Sequence, residues 1–304
     1  MHTQSLDRAL VLSGQAPIHD FVRFVRTRAI DGQRLDEIAL TEEWKCASRH
    51  LRDLQHTESK FADVGELEPL PAQLATKADA VLQDPATRKS LSFLPHRWAI
   101  VELDRLIVWQ KYINLEFADR VRSNLSPHPS ADELLGVATG VNHELPPLHV
   151  TTLSSNSYAF SSASTDVRVL GTALLNPAEV DGNKSYGRPA AVLAVYFGYS
   201  INVMWAVHMG DRIMLVNGTH RAYALRAAGV THAPCVVSRI ASRDDLDLVG
   251  LPESTESTGS YFAKTRPPLL KDYFDDRLYK PISMPRTHNI IQLDLKFERT
   301  RLPV

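Results

Sequence analysis

Residues 212–229 constrain the chain more than any other stretch. They read Arg-Ile-Met-Leu-Val-Asn-Gly-Thr-His-Arg-Ala-Tyr-Ala-Leu-Arg-Ala-Ala-Gly. The apolar run 213–216 has the character of a buried strand. Ala222, Leu225 and Ala228 then recur at helical spacing as far as Gly229, where the glycine that ends a helix belongs. Asn217-Gly218 is also the commonest hairpin turn, but no strand follows it. The chain must therefore leave a sheet and enter a helix within two residues.

Such a helix start presents unpaired N–H groups and the positive end of the helix dipole, which together favour an anion. Gly218 permits positive φ and close approach of a ligand to the backbone. Thr219 has the chemistry of an N-cap, and Arg221 carries the planar fork that suits phosphate oxygens. Two readings are open: an anion or phosphate site, and a capped helix that needs no ligand.

Around this unit the periodicity falls into three zones. Residues 1–96 read as helical. Ile18, Phe21, Val22, Val25 and Ala29 share one face, with Arg23, Arg26 and Arg28 on a solvated one. A second helix is expected to start at Thr41 and to bury Trp44, Ala47, Leu51 and Leu54. A third carries Leu74, Ala78, Val81 and Leu82 and ends before Asp84-Pro85. Residues 97–245 alternate strand and helix signals, with a buried strand over 190–197 and a hairpin turn at Met209-Gly210-Asp211. The Ser-, Thr- and Asn-rich stretch 151–165 reads as a surface loop, and 181–189 as a loop that could border a ligand. Residues 246–304 are a polar linker, 251–260, and an extension ending in the strictly alternating strand 291–298. Its apolar face, Ile291, Leu293, Leu295 and Phe297, is expected to pair with its own sheet or with another subunit. The class expected is α+β.

Composition removes several functions. The formal net charge is −1, so no basic balance advertises nucleic acid. No apolar run has the length of a membrane span, and the first residues lack the pattern of a signal peptide. Cys46 and Cys235 are too few and too far apart to frame a disulfide or zinc site, and Cys235 reads as a small core residue. A cytoplasmic protein is the simplest expectation.

The order strand, Gly-x-His-Arg, helix, Gly, apolar strand (233–238) resembles the core of the ParB/sulfiredoxin-like superfamily. Upstream, 98–108 resembles the opening strand and loop of such domains, 115–121 the helix that follows, and 145–150 the next strand. The resemblance spans about 97–240, with an insertion at about 151–188. Thr219 stands where sulfiredoxins have their reactive cysteine, which argues against sulfinic acid reduction. Gly218-Thr219-His220-Arg221 replaces the Gly-Glu-Arg-Arg of partition proteins, and no helix-turn-helix follows.

The resemblance implies a nucleotide-binding protein, with ATP or CTP and Mg2+ as cofactors. Asn217, Gly218, Thr219, His220 and Arg221 would hold the phosphates, and Gln110 and Lys111 would border the pocket. His220 would move a proton if the protein hydrolyses or transfers a phosphoryl group. Glu102, Asp104 and Glu116 are the candidate bases or metal ligands, and spacing does not choose among them. The alternatives are a non-catalytic ligand sensor or assembly subunit, working as a homo-oligomer or with a partner protein, and a nucleic-acid-directed nuclease.

Overall fold

The computed structural model describes residues 5–140, 145–164, 166–180, 187–199, 201–242, 244–247, 249 and 260–302. Most of the loop expected at 181–189 and of the linker expected at 251–260 lies outside these residues. The chain is α+β and divides into two compact units. One comprises Met1–Asn142 and Asn202–Arg286, the other His143–Ile201 and Thr287–Val304. Neither unit follows the zones read from periodicity, because the chain leaves the first unit and later returns to it.

The first unit holds strands β1 (Leu6–Leu12), β2 (His96–Glu102), β3 (Ile107–Val108) and β4 (Tyr112–Asn114). Its helices are α1 (Ile18–Arg28), α2 (Glu37–Thr57), α3 (Ala72–Gln83), α4 (Pro85–Leu91), α5 (Leu115–Ser123) and α6 (Ala131–Thr139). The second unit holds β5 (His149–Ser154), β6 (Ser157–Ser162), β7 (Val167–Leu175) and β8 (Val192–Tyr199). The chain then returns to the first unit with β9 (Trp205–Met209), β10 (Arg212–Asn217), helix α7 (Thr219–Ala227), β11 (His232–Arg239) and β12 (Tyr279–Pro285). Strand β13 (Asn289–Asp294) belongs to the second unit.

Two sheets organise the first unit. A mixed five-stranded sheet runs β2-β11-β9-β10-β3, in which β10 is antiparallel to β9 and parallel to β3. Its central strands bury Val207, Met214, Leu215, Cys235 and Val236, which is why their sequences are apolar runs rather than alternations. The antiparallel sheet β12-β1-β4 packs Ala9, Val11 and Ile282 against Phe21, Val22 and Val25 of α1 and Leu40 of α2.

Local chemistry sets several helix starts. Asp36 accepts from the Ile38 N–H at 2.9 Å, so α2 begins at Glu37 and not at Thr41. Ser130 and Glu133 form a reciprocal capping box on α6. Residues 1–96 are not wholly helical: β1 lies there, its whole length paired with β12 in the register Leu6↔Pro285 to Leu12↔Tyr279.

The second unit is two small antiparallel sheets, β13-β6-β5 and β7-β8. The expected loop over 151–165 instead carries most of β5 and all of β6, in which Thr151, Thr152, Tyr158 and Phe160 suit a pleated surface. The strand expected buried at 190–197 is β8, and it is half-exposed, with Leu193 at 60%. The final strand stops at Asp294, short of residue 298, and pairs with β6 of its own chain.

Candidate functional site

β10 and β3 run parallel, so both end on the same side of the five-stranded sheet. The Trp109 indole after β3 donates to the Val216 carbonyl of β10 at 3.4 Å, which brings the two exits together. Carboxyl ends of parallel strands are where ligands gather in open, mostly parallel α/β sheets, and β3 and β10 make one such parallel pair within this mixed sheet.

Gly218 is the N-cap of α7, at φ +97°, and no side chain caps the helix. Thr219 is therefore not the N-cap. It is the first helical residue and is buried. The first helical hydrogen bond runs from the Ala222 N–H to the Gly218 carbonyl at 2.8 Å, so the N–H groups of residues 219–221 precede the ladder. A side chain at Gly218 is excluded twice over: its Cβ would stand 2.7 Å from Met204 Cγ, and L-residues avoid that φ. The other end of α7 closes as the sequence suggests. Val230 donates to Leu225 and Gly229 to Arg226, each at 3.0 Å, around Gly229 at φ +85°.

The side chains of the motif turn toward the protein. The Asn217 amide donates to the Val203 carbonyl at 3.1 Å. Arg221 is buried, and its Nη1 donates to the carbonyls of Val137 at 3.1 Å, Ala138 at 3.3 Å and Asn202 at 2.7 Å. Arg221 thus braces the segments around residues 137–138 and 202. The His220 ring packs edge-on to Tyr112, with centroids 6.0 Å apart, and to Phe117 at 5.7 Å. Burial, and then the neighbouring Arg221 charge, lower its pKa from 6.5 to about 4. It is neutral at pH 7 and not tuned for proton transfer there.

Gln110 and Lys111 lie between Trp109, tied to Val216, and Tyr112, packed on His220. Their backbone is fixed: the Tyr273 hydroxyl donates to the Gln110 carbonyl at 2.7 Å, and the Leu12 N–H to that of Lys111 at 3.1 Å. The Lys111 side chain is exposed.

The three carboxylates do not converge. Glu102 pairs with Arg105 at 2.6 Å, Asp104 with Arg226 in the last turn of α7 at 2.7 Å, and Glu116 with Arg8 at 2.8 Å. Among the described residues no group of three His, Cys, Asp or Glu could hold a metal ion. Surface grooves of about 430 Å3 and 330 Å3 lie on α1 and α2, and no residue of 217–221 lines either.

Sequence reasoning missed Tyr112, Phe117 and Tyr273 as neighbours of the site. One signal was legible: Asn114 caps α5 by accepting from the Phe117 N–H at 2.9 Å, and that cap fixes where Phe117 stands. No protein-family model matches the chain, and no curated protein or solved structure matches it either.

Proposed function

We propose that the chain is a ligand-binding protein that takes a nucleoside phosphate, ATP or CTP with Mg2+, at the start of α7. One observation carries the reading: Gly218 caps α7 without a side chain, at the end of the sheet where β3 and β10 both finish. An anion supplies the acceptors that a capping side chain would otherwise give. The order of segments resembling the ParB/sulfiredoxin-like superfamily supports a nucleotide over other anions. Backbone donors of residues 219–221 carry the contact, and Lys111 contributes charge from the adjoining turn.

Binding without turnover is the form we favour. His220 is neutral and packed among rings, and Glu102 and Glu116 are engaged by arginines. A small phosphorylated ligand is the partner. No described helix is long and apolar enough to cross a membrane.

A thermal-shift panel of nucleotides, with and without magnesium, tests the reading. A ligand at a hundred times its dissociation constant adds about 2.7 kcal/mol to stability. Lys111→Glu, at an exposed position, should weaken binding about tenfold. No stabilisation by any nucleotide, or wild-type affinity in Lys111→Glu, would overturn it.

A further inference from the structure

The chain leaves the first unit after α6 and returns to it at Asn202. These two points are held together at a neck. Gly140, the C-cap of α6 at φ +66°, lies so close to Asn202 that a Cβ there would stand 2.5 Å from its Nδ2. The Met204 N–H donates to the Ala138 carbonyl at 2.6 Å. Arg221 completes the neck: one guanidinium nitrogen reaches Val137 and Ala138 on the outgoing segment and Asn202 on the returning one. The orphan carbonyls at the end of α6 thereby receive a charged donor.

We propose that Arg221 is a clasp shared between this neck and the start of α7, so that an anion bound at α7 loosens the neck. The second half rests on the phosphate reading above. Arg221 lies on the first turn of α7, among the donors that would face the anion. The three carbonyls that Nη1 reaches are neutral, and a phosphate oxygen is a stronger acceptor for a guanidinium than a carbonyl is. Ligand and neck then compete for one side chain. Coupling of this kind is reciprocal: whatever loosens the neck strengthens binding by the same factor.

Two variants of the full chain test the clasp without ligand. Arg221→Lys keeps the charge but is one bond shorter and lacks the planar head that sets Nη1 against three carbonyls. Gly140→Ala leaves Arg221 intact and forces Asn202 away. Each should raise hydrogen exchange at residues 137–140 and 202–204 about tenfold, while residues 9–11 of β1, paired with β12 and β4, keep their protection. Unchanged exchange at the neck, or equal loss in β1, would overturn the clasp. Calorimetry with Mg-ATP and Mg-CTP tests the coupling: Gly140→Ala should bind about tenfold more tightly than wild type. Equal or weaker binding overturns the coupling alone. If neither nucleotide binds wild type, the phosphate reading and the coupling fall together, and exchange at the neck still decides the clasp.

Discussion

At the residue scale, two glycines with similar positive φ do different work. Gly229 has open space where a side chain would grow, so Gly229→Ala meets only the left-handed penalty, about 1 kcal/mol. Gly218→Ala adds a Cβ 2.7 Å from Met204 Cγ, in a close-packed place, and should cost about 3 kcal/mol. Urea denaturation of both variants checks the order, and equal losses would refute it. His220 gives a pH signature. Its folded-state pKa of about 4 lies below the ordinary 6.5, so the native protein binds fewer protons than the unfolded chain between these values. Its contribution is full above pH 6.5 and declines as pH falls toward 4, by up to about 3 kcal/mol. His208, also lowered by burial, acts with the same sign. The difference between wild type and His220→Phe therefore isolates the His220 part. Parallel melting-temperature profiles for the two proteins from pH 7 to 4 would refute this account.

At the element scale, what the sequence revealed was what neighbours along the chain decide. The stripe Ile18, Phe21, Val22 and Val25 became α1, and the strand, glycine turn and helix of 212–229 became β10 and α7. The polar loop reading of 151–165 failed because a half-exposed strand needs few apolar residues, and Thr and Tyr suit it. Strand β1 failed for another reason: its partners β12 and β4 come from far along the chain, and seven residues carry little periodicity of their own. The candidate site divides the same way. The backbone conformation of Gly218 was legible from the motif. The partners of Arg221, which stand 84 and 19 residues away, were not. Strand β13 shows what such pairing is worth. Deleting residues 287–304 leaves the Arg286–Asp7 ion pair in place but strips β6 of a partner from Asn289↔Ser162 to Asp294↔Ser157. An uncovered edge recruits other chains. Gel filtration should then show larger species, and an unchanged elution volume and melting temperature would contradict it.

At the scale of the whole molecule, the two units differ in how they are held. The first has a dense apolar core and a buried ionic one. Arg266 and Asp272 pair at 2.6 Å with both side chains almost fully buried, and Arg266 also reaches Glu58 of the segment after α2. In the second unit, among the described residues, Val167 is the only buried apolar side chain, while Leu174 stays 79% exposed. Its two sheets meet in the Phe160–Phe197 ring stack, with centroids 3.5 Å apart. Small sheets with little buried surface have little to set against chain entropy. The units should therefore lose structure at different denaturant concentrations. Amides of β5, β6, β7, β8 and β13 should exchange through openings that β2, β9, β10 and β11 do not share. A single urea transition, with fluorescence, circular dichroism and exchange coincident in both sets of strands, would mean that the two units unfold as one. Asp272→Ala sharpens the test, because it leaves Arg266 buried without its closest partner. That loss should cost the first unit about 3–5 kcal/mol. If the units are independent, it moves the later transition to lower urea and leaves the exchange of β7 and β8 where it was.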